Sequence, residues 1–167
     1  MSRLAYDPVE GSRQHWIAQG WPDAASGVAA VVSVMRGWQI LLSQANNTLR
    51  PFGLTFARYQ VLGLLRAGDR LPLGQVGARL WITPGTVTSS VDRLEAAGLL
   101  RRLPHPGDGR TVLAEITAAG RRVFDQAVAS LNADLFSTIP LSRAELDVLV
   151  GIMNKIRAEF GDVIGLS

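Results

Sequence analysis

LGQVGARLWITPGTVTSSVDRLEAAGLL (73–100) runs directly into RRLPHPGDGRTVLAEI (101–116), and these two adjoining segments decide the fold. In the first, Leu73, Val76 and Leu80 recur at helical spacing and predict a short helix with one buried face that stops near Trp81. Ile82 leads into a second helix. Thr83 has the side chain of an N-cap, and Pro84 follows at the first helical position, where a missing N–H costs nothing. Val87, Val91 and Leu94 line one side of this second helix, so Gly85, Thr86, Ser89 and Arg93 face the other way. Gly98 supplies the C-terminal glycine that ends it.

In the second segment Leu99–Leu103 and Val112–Ile116 suit two short antiparallel strands. Pro104, Pro106, Gly107, Asp108 and Gly109 form the turn between them, with His105 and Arg110 at its tip. Two helices at a tight turn followed by a hairpin make a winged helix-turn-helix. Its outer helix face carries Thr83, Pro84, Gly85, Thr86, Thr88, Ser89 and Arg93. Small side chains let a helix backbone enter the major groove, hydroxyls donate or accept, and one arginine reaches a guanine or a phosphate. Arg110 on a thin hairpin suits the negative potential of the adjacent minor groove, with Arg101 and His105 as further contacts. Asp108 would repel phosphate if free, so it is expected to pair with Arg110 or Arg101 and hold the wing in shape.

At this point the chain resembles the MarR (multiple antibiotic resistance regulator) family of bacterial transcription factors. The resemblance covers roughly positions 28 to 160. It is carried by LRPFGLTFARYQVLGLL (49–65), TPGTVTSSVDRLEAAGLLRR (83–102), the Asp108-Gly109-Arg110 wing and the Thr117-Ala118-Ala119-Gly120 opening of a further helix. It implies a homodimer with two winged-helix lobes, a helical dimerisation region built from both termini, and often control by a small ligand. Repression of transcription is what the family implies, with release by an effector.

Outward from the DNA-binding stretch the chain reads as helical. Val28, Val31, Met35, Trp38, Leu42, Ala45 and Leu49 follow alternating three-and-four spacing, as do Leu146, Leu149, Met153, Ile156 and Phe160 near the C-terminus. Ser142 and Glu145 form a capping box for the last helix. The helix before it starts at Thr117 and carries Phe124, Val128, Leu131 and Leu135. One small lobe cannot cover all these faces, which argues for an isologous dimer rather than a monomeric bundle. A helix from Thr55 to Arg66 buries Phe56, Tyr59 or Gln60, Leu62 and Leu65 and serves as scaffold. In the family's architecture effectors bind between it and the long first helix, which brings Trp38, Arg58 and Tyr59 into consideration for a small aromatic or anionic effector. Trp38 also reads as core on its seam.

The expected division is an N-terminal arm (1–22), a helical dimerisation region (23–54 and 117–167) and a winged helix-turn-helix region (55–116). The fold is mainly α with a small β-wing. Tyr6, His15, Trp16 and Trp21 lie in the arm, where only His15–Gln19 suggests a turn or two of helix. The arm is expected to fold against the partner subunit or over the effector cleft.

Composition excludes several classes. At 167 residues and 47% hydrophobic the chain can bury a core. The formal charge of +3 alone argues little for nucleic acid, but Arg101, Arg102 and Arg110 gather around one turn. With no cysteine there is no disulfide, thiolate zinc site or thiol redox sensor. His15 and His105 are far apart, with no nearby acid at a spacing that suggests a metal site or a triad, and neither a phosphate-binding glycine loop nor a GxSxG elbow occurs. No catalytic residue, metal or cofactor is expected. No segment reads as apolar and uninterrupted enough for a membrane, and the expected location is the bacterial cytoplasm, at the nucleoid when on DNA. The competing reading is a winged-helix protein-interaction module without DNA binding; Asp92 beside the outer helix face is its one mark.

Overall fold

The computed structural model describes residues 5–68 and 70–162. The ends of the expected arm and dimerisation region, 1–4 and 163–167, lie outside them. Two N-terminal helices, α1 (Pro8–Ala18) and α2 (Pro22–Leu49), are followed by α3 (Phe56–Gly68), a short strand β1 (Arg70–Pro72), α4 (Leu73–Leu80) and α5 (Pro84–Ala96). The hairpin strands β2 (Leu100–His105) and β3 (Asp108–Ile116) come next, then α6 (Ala118–Asp134) and α7 (Arg143–Glu159). The sheet is antiparallel in the order β1-β3-β2, with Leu71 opposite Ala114 and Leu103 opposite Leu113.

The core forms where these elements meet. Leu49 of α2, Val61, Leu62 and Leu65 of α3, Val76 of α4, Val91 and Leu94 of α5, Leu100 and Ala114 of the sheet and Leu131 of α6 are buried together. Local chemistry sets the boundaries. The Asn46 carboxamide of α2 accepts a hydrogen bond from the Phe56 N–H at 2.8 Å, so the long helix caps the start of α3. Thr83 and Thr117 cap α5 and α6 through their hydroxyls, and Ser142 and Glu145 make the expected capping box. The helix-turn-helix crossing is close because Gly77 is small: a Cβ there would stand 3.2 Å from Val87 and 3.3 Å from the Ile82 carbonyl.

Four expectations change. The arm is not irregular: residues 8–18 form α1, capped by Asp7 with Pro8 at its start, and it folds back along α2 over Ala25 and Ala29. Asp7-Pro8 and Gly20 mark its two ends, but α1 lacks the clear apolar period by which a helix shows in sequence. Strand β1 was not foreseen, since three residues beside a proline carry no alternation. The hairpin turn is only Pro106-Gly107, so Pro104, His105, Asp108, Gly109 and Arg110 belong to the strands. Finally, Pro22–Phe52 is long and apolar enough to cross a membrane by length and composition, against the expectation of no such segment. Its glycines, serines and the charged Asp23, Arg36 and Arg50 read as interruptions, yet alanines and valines dominate. In the fold it is the scaffold helix against which α1, α3 and α6 lie.

The surplus apolar surface is real. Val31, Met35 and Trp38 of α2, Val148, Leu149, Ile152 and Ile156 of α7 and Phe160 at its C-cap are exposed. Helix α7 does not fold back onto the lobe as a monomeric bundle would require; none of its residues is buried.

Candidate nucleic-acid interface

The inner face of α5 holds it to the lobe: Val87, Val91 and Leu94 are buried, as is Ser90. This fixes which residues look outward. Thr83, Pro84, Gly85, Thr86, Thr88, Ser89 and Arg93 are all exposed. The Thr83 hydroxyl accepts from the Thr86 N–H at 3.3 Å and sits 3.0 Å from the Thr86 hydroxyl, a pair held at the N-terminal tip of the helix. Thr88 turns its hydroxyl back to the Pro84 carbonyl at 3.0 Å and lies on the α4 side, whereas Thr86, Ser89 and Arg93 lie on the α3 side. Trp81 closes α4 in the left-handed region at φ 50° and leaves its ring exposed at the turn.

The wing extends from this face. His105 pairs with Asp108 across the two-residue turn, and the His105 Nδ1 accepts from the Gly107 N–H at 3.1 Å. Asp108 is not paired with a guanidinium. Its carboxylate accepts from the Thr111 hydroxyl at 2.6 Å and from the backbone N–H of Arg110 at 3.0 Å, and these bonds hold the carboxyl below the usual range. A carboxylate can brace a two-residue turn this way while leaving the Arg110 side chain at the tip. Arg110 is exposed and makes no ion pair among the described residues.

The other wing arginines are placed differently from the expectation. Arg101 lies at the hairpin base, away from the tip. Glu115 stands directly opposite it on β3, with Arg70 opposite on β1, and its carboxylate takes Arg101 at 2.5 Å and Arg70 at 3.2 Å. Arg102 points to the other face, where it meets Asp92 at 2.5 Å and also Glu95. Its backbone N–H donates to Glu95 at 2.8 Å, and this bond, with the guanidinium, holds the Glu95 carboxyl below its usual range. Asp92, the mark of the protein-interaction reading, is therefore neutralised from the wing. The sequence reading missed this clamp because the partners are ten and seven residues apart, across a helix end no pairwise spacing rule spans.

Trp38, Arg58 and Tyr59 do not form one ligand site. Trp38 lines an apolar cavity of about 180 Å³ between α2, α3 and the end of α6, with Leu42, Ala45, Phe56, Leu135 and Ile139. Tyr59 stacks between Phe56 and Phe124 at ring separations of 5.9 and 5.1 Å, and burial raises its phenol pKa. Arg58 lies on the opposite side of α3, beside α5. The family's effector cleft brought Arg58 and Tyr59 together as neighbours in sequence, but adjacent residues on a helix face about 100° apart.

A recognition-type helix with an unobstructed polar face, followed by a braced two-stranded wing and joined to long helices with uncovered apolar faces, defines a winged helix-turn-helix regulator. The sequence profile of the MarR family matches residues 52–111. An uncharacterized HTH-type transcriptional regulator of Bacillus subtilis, YkoM, is 35% identical over 109 residues, spanning 64% of this chain and 70% of the relative. Among solved structures, Sco5413, a MarR family transcriptional regulator from Streptomyces coelicolor, is 37% identical with a TM-score of 0.77, covering 84% of this chain and 99% of that one. A mutant MarR from Escherichia coli complexed with operator DNA is 25% identical with a TM-score of 0.73, covering 80% and 96%. The chain belongs to the MarR family. That family consists of transcriptional regulators, soluble cytoplasmic proteins rather than enzymes.

Proposed function

We propose that the protein is a homodimeric, sequence-specific DNA-binding repressor that places α5 in the major groove and the β2–β3 wing in the neighbouring minor groove. The observation that carries this reading is the split of α5: Val87, Val91 and Leu94 buried inward, Thr86, Ser89 and Arg93 exposed outward. Thr83, Pro84, Gly85 and Thr88 complete the helix surface, and Arg110 with His105 forms the wing contact. Arg101 sits too far back on the hairpin, paired with Glu115, to read a base; its part is to steady the sheet that carries the wing. Asp108 steadies the wing turn. The exposed apolar residues of α2 and α7 cover one another in a twofold dimer, in keeping with a dimerisation region of 23–54 and 117–167 around a DNA-binding region of 55–116. The helix α1 extends that region rather than forming a separate arm.

A twofold protein presents two recognition helices to successive grooves, so the target is a near-palindrome with half-site centres about 10 bp apart or slightly more. When on DNA the protein resides at the nucleoid. Effector control enters through the apolar cavity beside Trp38. No cation lines it among the described residues, so it suits a neutral aromatic ring better than an anion. Such a ligand releases DNA only by preferring a dimer whose helices are wrongly spaced for the operator.

The experiment is selection of genomic fragments by the purified protein, followed by anisotropy titration of a selected duplex. Arg93→Ala and Arg110→Ala should each weaken binding by about 1–3 kcal/mol, or about 5- to 150-fold, if they read bases or grooves. Unchanged affinity in both variants would remove these residues from the interface.

A further inference from the structure

Arg58 has no place in the effector cavity, yet it is held in a defined pose. Its Nε donates to the Thr55 hydroxyl at 3.2 Å and its Nη1 to the Gly53 carbonyl at 3.0 Å, which leaves three of its five N–H donors unused by these bonds. It lines an open cleft of about 570 Å³ between the first turn of α3 and the outer face of α5. Arg93 and the hydroxyl residues Thr55, Thr86, Ser89 and Ser90 line the same cleft, and no carboxylate does among the described residues. Ser90 is only 7% exposed, and its hydroxyl has no hydrogen-bond partner among the described residues. That hydroxyl still reaches solvent in the cleft, so it is free to donate to whatever enters.

Two guanidiniums, several hydroxyls and no acid select an oxyanion. Because the cleft is continuous with the exposed face of α5, the anion at hand is the DNA backbone. We propose that this cleft seats a backbone phosphate of the bound duplex, with the pre-set Arg58 guanidinium as the clamp and Ser90 as a second donor. The clamp positions α5 in the groove without reading sequence. This inference rests on the DNA-binding reading above and adds to it a contact outside the helix-turn-helix and wing.

The test separates a phosphate contact from a base contact by salt. Wild type, Arg58→Gln, Arg58→Lys, Ser90→Ala, Arg93→Ala and the distant control Arg66→Gln are titrated onto a selected genomic duplex and onto an unrelated duplex of equal length, from 50 to 200 mM salt. Two clamps per dimer contribute a slope of about 1.8 in log affinity against log salt, so wild type should lose about twelvefold more affinity over that range than Arg58→Gln. Arg58→Gln should weaken both duplexes by the same factor, Arg58→Lys should restore the slope, and Ser90→Ala should weaken both duplexes with the slope intact. Arg66→Gln should change nothing. Arg93→Ala should instead narrow the gap between the two duplexes. If wild type binds and Arg58→Gln keeps its slope, or loses affinity for the selected duplex alone, the clamp is refuted while the DNA-binding reading stands. If Arg58→Lys behaves as Arg58→Gln, a structural role for Arg58 replaces the clamp. If wild type binds neither duplex, the broader reading fails first.

Discussion

Replacing Gly120 by alanine tests how the DNA-binding lobe is fastened to the dimerisation helices. A Cβ built at this position would stand 2.0 Å from the Leu99 carbonyl oxygen and 2.9 Å from Ile116. The first turn of α6 must therefore retreat from the start of β2 by at least about 1 Å. That retreat breaks the Thr117 N–H to Leu99 carbonyl bond, now 3.1 Å, and strains the Thr117 hydroxyl bond to the Gly98 carbonyl at 2.8 Å. Overpacking costs about 1–3 kcal/mol and each lost hydrogen bond about 1 kcal/mol, while alanine's better helix propensity returns up to about 1 kcal/mol. The net loss is about 3 kcal/mol. With a urea slope of about 2 kcal/mol/M the midpoint should fall by about 1.5 M at fixed protein concentration. Gly74, on exposed α4 with nothing within 4 Å of a built Cβ, is the internal control: Gly74→Ala should stabilise by about 0.5–1 kcal/mol. A Gly120→Ala loss below about 1 kcal/mol, with unchanged slope, would show that the junction is slack and that close contact does not set the lobe's orientation.

Leu62→Ala removes a side chain with no exposure from the centre of the core and should cost about 2–5 kcal/mol by calorimetry or denaturant melting; a loss under 1 kcal/mol would contradict the packing described. Ile152→Asp with Val148→Asp should turn the dimer into monomer in sedimentation equilibrium, because the exposed α7 face would then carry four charges across the twofold axis; a persistent dimer would place the interface elsewhere. The Asp108 carboxyl should titrate below the ordinary value of about 3.9, and Thr111→Val should raise it towards that value in an NMR titration. Since folding depresses this pKa, its contribution to the wing is complete above about pH 3.9 and is lost as pH falls through the folded value; equal titration in both proteins would deny the brace. A neutral phenol should release the duplex at lower concentration than benzoate, given the uncharged cavity beside Trp38, and the reverse order would move the effector site to a cationic surface.

The helix-turn-helix was legible because its signals are local. Thr83-Pro84, Gly98 and the buried trio Val87, Val91 and Leu94 each act within one turn of α5, and the capping box of α7 is three residues wide. What escaped the sequence depends on chain segments meeting. β1 exists because Arg70–Pro72 finds β3, the Asp92–Arg102–Glu95 clamp because the wing folds back on α5, and the separation of Arg58 from Trp38 because α3 turns Arg58 towards α5 and away from the cavity that Trp38 of α2 lines. The wing brace was half visible: Asp108 does hold the turn's neighbours, but through Thr111 and a backbone N–H, since a two-residue turn brings those donors nearer than any guanidinium. α1 was hidden for the opposite reason. Its ends are well marked, but its face against α2 mixes Val9, Ser12, Arg13 and Trp16, which no hydrophobic period detects.

The central claim is that two copies of the outer α5 face and its wing grip one duplex. Light scattering of the protein on a selected genomic fragment, combined with hydroxyl-radical footprinting of the same complex, measures this most directly. Two chains per duplex, with two protected patches on one side of the helix about one turn apart, is the predicted result. A single chain per duplex, or protection without twofold symmetry, would contradict it.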